Sequence, residues 1–118
     1  MKSLHEEQPV VLVYLLAGCD AGLWQQVFYG IEEEGIPFLL QQSVTSDVVT
    51  AAYDAAQRSP LLVGMACTRE EMVVHFKNLQ PANPLFRLSQ PLQQKADVLR
   101  GLGNNAARLV KGLPFKSL

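Results

Sequence analysis

Hydrophobic positions in this chain fall into blocks whose spacing switches between unbroken and helical. Residues 10–17 (VVLVYLLA) are a continuous apolar run rich in Val and Leu, followed by Gly18. Such a run predicts a strand buried on both faces, the signature of a parallel sheet. Asp20 is placed to cap the helix that follows, and Leu23, Trp24, Val27, Phe28 and Ile31 recur along one helical face. Gly35 and Pro37 end that helix, and residues 36–40 predict a second short strand. Ser46 and Asp47 open a second helix, with Val48, Val49, Ala52, Ala55 and Ala56 as its inner face, and Ser59-Pro60 closes it. Residues 61–67 (LLVGMAC) predict a third buried strand. The order β-α-β-α-β implies right-handed parallel crossovers.

Beyond residue 67 the period changes. Met72, Val74 and Phe76 alternate with Val73, His75 and Lys77, the pattern of a half-buried strand. Four residues separate it from the third strand, whereas a parallel crossover needs about a dozen, so this strand is expected to run antiparallel. The segment TREE at 68–71 also offers a helical capping box, which makes a short helix the rival; the β-favouring VVHF that follows supports the strand. Residues 84–88 predict a fifth strand. After Pro91 a helical pattern (Leu92, Ala96, Leu99) is interrupted by Gly101 and Gly103, so Asn104 or Asn105 is expected to cap a separate last helix through Lys111, stopped by Gly112 and Pro114. The predicted fold class is α/β: one three-layer α/β/α domain over residues 1–118, with a mixed five-stranded sheet, mostly parallel, whose fourth strand is antiparallel.

Composition narrows the function classes. With 118 residues, 48% hydrophobic and 18% charged, the chain suits a single packed core and not a disordered segment. A formal net charge of −1 argues against a general nucleic-acid or anionic-membrane binder, whose affinity rests on excess cationic charge. The start, MKSLHEEQP, lacks a basic n-region and apolar stretch, and two cysteines make no disulfide framework, so a cytoplasmic location is expected. The longest apolar run, eight residues, is too short to span a bilayer. Residues 1–75 hold three basic and ten acidic side chains, a net of −7; residues 76–118 hold seven basic and one acidic (Asp97), a net of +6. Two halves so charged either pair with each other inside the fold or present two faces to different partners.

Candidate chemistry is sparse. Glu32, Glu33 and Glu34 lie at the C-terminal end of the first predicted helix. That end carries partial negative charge, so each carboxylate there is unfavourable by roughly 0.3–1 kcal/mol. The triplet reads either as a solvated acidic turn or as a docking point for a basic surface or a hard cation. Consecutive helical residues point about 100° apart, so at most one of the three is a direct ligand. Glu33 follows Gln26 and Tyr29 on the flank of the apolar face, which places it at the rim of a contact. Cys19 and Cys67 fall at C-terminal ends of predicted parallel strands, where α/β domains place ligands, and Cys19 precedes a helix N-terminus that can lower a thiol pKa. A nucleophilic cysteine needs a positioned base, and the candidates are His5 and His75; the bland alternative is a pair of buried structural cysteines and a satisfied core histidine. Spacings of 48 residues between the cysteines and 70 between the histidines match no zinc pattern. Gly18 and Gly22 complete neither a dinucleotide fingerprint nor a P-loop, and no G-x-S-x-G elbow or Asp-x-His-x-x-Gly cobalamin stretch occurs. The residues themselves lead to an α/β binding module.

Several stretches together carry a family likeness: GCD at 18–20 with Trp24, GIEEEGIPF at 30–38, SPLLVGMAC at 59–67, VVHFKNL at 73–79 and GNNAARLVKGLPF at 103–115. With them the chain resembles the small (β) subunit of the diol/glycerol dehydratase reactivating factor over nearly its whole length. It departs at Ala21, where the family pattern places a glycine directly after the aspartate. The resemblance implies a fold like that of the dehydratase's own medium subunit, of the anticodon-binding-domain type, without a cobalamin site. It implies a non-catalytic, chaperone-like role. The partner is a large ATPase subunit, typically in an α2β2 complex, that binds and hydrolyses ATP. Together they release damaged cobalamin from adenosylcobalamin-dependent diol or glycerol dehydratase by exchanging the small subunit for the dehydratase medium subunit. It further implies a divalent ion, Mg2+ or Ca2+, at the interface, contacted from this side by Glu33, with Glu32 and Glu34 beside it in the partner-binding surface. No cofactor of its own, no nucleic acid and no membrane are expected. The location is expected to be the cytoplasm or a protein-shelled bacterial microcompartment, and the resemblance leaves glycerol and 1,2-propanediol dehydratase equally open as client. Rival readings are a dehydratase medium subunit that binds cobalamin itself, a cysteine-dependent enzyme, and a free-standing interaction adaptor.

Overall fold

The computed structural model describes residues 9–118. Five strands build one sheet: β1 (Val11–Leu15), β2 (Phe38–Gln42), β3 (Val63–Cys67), β4 (Glu71–Phe76) and β5 (Phe86–Ser89), in the spatial order β2-β1-β3-β4-β5. β1 pairs in parallel with both β2 and β3; β4 runs antiparallel to β3 and β5 antiparallel to β4. The fourth strand is therefore the one that reverses, as the four-residue connection requires. Three helices cover the sheet: α1 (Gln25–Glu33), α2 (Val48–Arg58) and α3 (Ala96–Lys111). Along β1, Val11, Val13 and Leu15 face α1 and α3, while Leu12 and Tyr14 face α2. Both sets are buried, which is why the strand reads as an unbroken apolar run. On the opposite side Ala51, Ala52 and Ala55 bring α2 close to the sheet, and the Asp47 carboxylate fixes its start by accepting from the Thr50 N–H and hydroxyl, both at 2.8 Å.

Two local expectations are corrected, at the start of the first helix and around Leu92, and the fourth strand is borne out against its helical rival. The first helix starts later than the Asp20 cap suggests. Asp20 accepts the Gly22 N–H at 2.9 Å, but Ala21–Trp24 form a 3-10 turn and α1 begins at Gln25. The Thr68 hydroxyl accepts the N–H groups of Glu70 and Glu71 at 3.0 and 3.1 Å, as in a cap, yet the chain then enters β4. Burial of Met72, Val73, Val74 and His75 within the sheet outweighs the local helical signal. Leu92 belongs to a 3-10 turn, Pro91–Gln93, and is exposed.

The largest correction concerns α3. It is one unbroken 16-residue helix, and Asn104 and Asn105 lie inside it, not at its start. Gly103 does not break it, because the glycine is where α1 crosses. A Cβ at Gly103 would stand 1.9 Å from the Val27 carbonyl oxygen, and one at Gly30 would stand 2.1 Å from the Arg100 carbonyl oxygen. Each glycine weakens its helix by about 1 kcal/mol relative to alanine. The close approach offsets this by burying Val27, Ile31, Leu99, Leu102, Ala106 and Ala107 between the helices and the sheet. Gly112, with φ 70°, ends α3 in the left-handed conformation, as expected.

Candidate functional site

Part of the charge asymmetry along the chain is paired inside the fold, among the described residues. Arg87 pairs with Glu71 at 2.9 Å, Arg100 with Glu33 at 3.7 Å, and Arg108 and Lys111 with Glu34 at 3.3 and 2.8 Å. Each of these pairs joins an acid from the first 75 residues to a base from the rest. Three of the four gather at the C-terminal end of α1.

The three glutamates there have separate fates. Glu34 is mostly buried and taken up internally: the Lys111 ammonium donates to its Oε1 and to its backbone carbonyl, both at 2.8 Å, and the Arg108 Nε–H donates to Oε2. Lys111 first and Arg108 second hold its carboxyl below the usual carboxylate range. They also place positive charge against the negative end of α1, which relieves the dipole penalty. Glu32 points to solvent. Glu33 is about half exposed, with 44% of its side chain accessible. Its Oε1 accepts a 2.9 Å hydrogen bond from Asn104 Nδ2, and its Oε2 keeps only the longer ion pair with Arg100.

Arg100 links Glu33 to the rest of its helical column. Its Nη2 donates to Gln26 Oε1 at 2.6 Å, and its guanidinium carbon lies 5.8 Å from the centre of the Tyr29 ring. Gln26, Tyr29 and Glu33 thus line one edge of the α1–α3 groove, the rim that helical spacing indicates.

Asn104 is the residue that sequence reasoning misassigned. Its side chain is buried inside the helix pair. Nδ2 donates to the Gly30 carbonyl at 2.8 Å as well as to Glu33, and Oδ1 accepts from Lys116 Nζ at 2.8 Å. Asn105 is buried beside it and pairs twice with the Lys116 backbone, accepting its N–H at 2.7 Å and donating to its carbonyl at 3.0 Å. The available signal is the pair itself: two consecutive amides between Gly103 and Ala106 on an apolar helical pattern require buried partners.

The chain's capacity for a metal is limited and specific. Among the described residues no cluster of three or more His, Cys, Asp or Glu is arranged to hold an ion. Glu33 offers a hard carboxylate oxygen on an accessible edge, the donor type that Mg2+ and Ca2+ accept.

The cysteine route to catalysis finds no support in the geometry. Cys67 is buried and Cys19 partly so; both are free thiols, with Sγ atoms 3.1 Å apart. Burial pushes both thiols up, which outweighs any effect of the short turn after Cys19. His75 is a core residue: with the proton on Nε2, that nitrogen donates to the Pro81 carbonyl at 3.0 Å and Nδ1 accepts the Phe76 N–H at 3.0 Å. His5 lies outside the described residues.

The family model described as dehydratase medium subunit matches residues 8–116. The diol dehydratase-reactivating factor small subunit of Klebsiella michiganensis is 53% identical over 114 residues, covering 97% of this chain and 89% of that one. The chain belongs to the reactivating-factor small-subunit branch of this family. The propanediol dehydratase-reactivating factor small subunit of Salmonella typhimurium is 52% identical over 118 residues, covering 100% of this chain and 98% of that one. Among solved structures, the diol dehydratase-reactivating factor complexed with ADP and Mg2+ contains a chain that superposes with a TM-score of 0.87 at 52% identity, over 93% of this chain and 99% of that one. A glycerol dehydratase reactivase chain superposes at 0.85 with 30% identity, over 93% and 98%. The mixed five-stranded sheet with its reversed fourth strand is thus the architecture of the small-subunit family.

Proposed function

We propose that this chain is the exchangeable, non-catalytic partner of a large ATPase subunit in a factor that frees diol or glycerol dehydratase of damaged cobalamin. The observation that carries this reading is a shared fold: a chain about half identical to reactivating-factor small subunits matches, over nearly its full length, a family model for the dehydratase medium subunit. Two proteins of one architecture are suited to compete for one surface. A large subunit that lets go of this chain can take the medium subunit in its place, and the strain of that substitution opens the dehydratase. ATP binding and hydrolysis on the large subunit would drive the cycle, and an α2β2 assembly is the expected resting form.

The α1–α3 edge has the character such a contact needs. A large dry surface dissociates slowly, whereas a charged rim gives specificity with release. Tyr29, Glu33 and Arg100 provide one aromatic surface and two opposite charges at the same edge. Glu33, held on one oxygen by Asn104, would supply the chain's single carboxylate donor to an interface Mg2+ or Ca2+; Glu32 lies beside it on the surface, and Glu34 supports the turn from within. When bound, the cation would add an electrostatic link that does not depend on apolar area.

Exchange is tested directly by labelling this chain in its complex with the cognate large subunit, then adding inactivated dehydratase with ATP and Mg2+. Labelled chain should appear free while the dehydratase medium subunit joins the large subunit. Restored dehydratase activity with the label still bound would contradict exchange.

A further inference from the structure

The three hydrogen bonds of Asn104 determine how its amide is turned. Nδ2 faces two acceptors, the Gly30 carbonyl and Glu33 Oε1, and Oδ1 faces the Lys116 ammonium. Turned over, the amide would set its N–H groups against a cation and its oxygen against a carboxylate and a carbonyl. The ammonium therefore selects the orientation in which Asn104 donates to Glu33. Lys116 is itself held in place, because Asn105 pairs with both its N–H and its carbonyl. The rest of the tail is fastened on either side. The Phe115 ring packs edge-on to Phe86 with centroids 5.1 Å apart, Arg108 donates to the Pro114 carbonyl at 3.1 Å, and Leu118 occupies the space beside Gly101.

We infer that Asn104, oriented by Lys116, is the positioning residue of Glu33, so that the C-terminal tail sets the readiness of the docking carboxylate. This rests on the proposed role of Glu33 at the large-subunit interface. The Asn104 bond engages Oε1 and removes freedom from a long side chain at a helix end. Oε2 remains for an outside partner. Groups that orient a ligating side chain in this way typically alter metal-dependent affinity by roughly 10- to 100-fold when removed. Among the described residues, the hydrogen bonds that join the tail to the carboxylate run through the Asn104 side chain, a coupling across residues 33, 104 and 116 that no local motif contains.

The test is the affinity of the full chain for its cognate large subunit in Mg2+ and in EDTA, with melting temperature recorded for every variant. Lys116→Met keeps Asn104 and leaves the Gly30 carbonyl paired, so the fold is retained. It should weaken Mg2+-dependent binding about tenfold, and Lys116→Arg should recover most of the loss. In a Glu33→Gln background Lys116→Met should change affinity by less than about twofold, because the residue it acts through is gone. Asn104→Ser, a second variant that shortens the donor, should follow the same pattern. Full affinity in Lys116→Met and Asn104→Ser, with Glu33→Gln weakened, overturns the positioning role and leaves the docking role of Glu33 standing. An equal loss from Lys116→Met with and without Glu33 also overturns it. Full affinity in Glu33→Gln removes both.

Discussion

A carboxylate at the C-terminal end of a helix faces a negative pole, and Glu34 shows how that arrangement becomes stabilising. Lys111 and Arg108 surround it, and its pKa is depressed as a result. A depressed carboxylate contributes stability that is fully present above its unfolded pKa, about 4.3, and is lost as pH falls through the folded value. Glu34→Gln should therefore lower unfolding free energy by on the order of 1 kcal/mol at pH 7. The gap from the unsubstituted chain should close as pH falls below the folded pKa. Urea denaturation at pH 7 and pH 3 reads both values; an undiminished gap at pH 3 would show that the ion pairs are not its source. Glu33, one residue earlier, differs in kind. Its helical neighbours Gln26 and Tyr29 reveal its rim position from spacing alone. The partners that shape it lie 67 residues away at Arg100 and 71 at Asn104, and no local pattern encodes them.

At the scale of elements, the β1-α1-β2-α2-β3 half was legible because its signals are local. Unbroken apolar runs mark strands covered on both faces, and Asp47 caps the helix that follows it. The later half was less legible because its determinants are contacts between distant segments. TREE satisfies a capping rule, and the β-favouring VVHF after it is the signal that prevails, since β4 lies between β3 and β5. Gly103 looks like a helix breaker and is instead a crossing point. A direct consequence is that Gly103→Ala, which favours the isolated helix by about 1 kcal/mol, should destabilise the protein. Its Cβ would meet backbone, which cannot rotate aside, so a net loss of about 3 kcal/mol is expected in thermal or urea unfolding. Stability equal to the unsubstituted chain would mean that α1 and α3 do not approach as described.

For the whole molecule, the contrast between an acidic first part and a basic second part is met in part within one helix pair. Arg100, Arg108 and Lys111 on α3 answer Glu33 and Glu34 at the end of α1. Of the two meanings the charge pattern allowed, internal pairing accounts for Glu34. Glu33 retains an accessible edge suited to the second meaning, a partner. The family relationship gives that partner its setting: small subunits of reactivating factors share their architecture with the dehydratase medium subunit family. The exposed carboxylate beside the α1–α3 crossing is then the place where the large subunit is expected to dock.

Calorimetric titration of the cognate large subunit with Glu33→Gln, in Mg2+ and in EDTA, addresses that point most directly. Glutamine retains an oxygen for Asn104, so the isolated variant should keep its stability to within about 0.5 kcal/mol. The prediction is a loss of affinity of at least about tenfold in Mg2+, with EDTA causing little further change. Affinity equal to that of the unsubstituted chain in both buffers would contradict it.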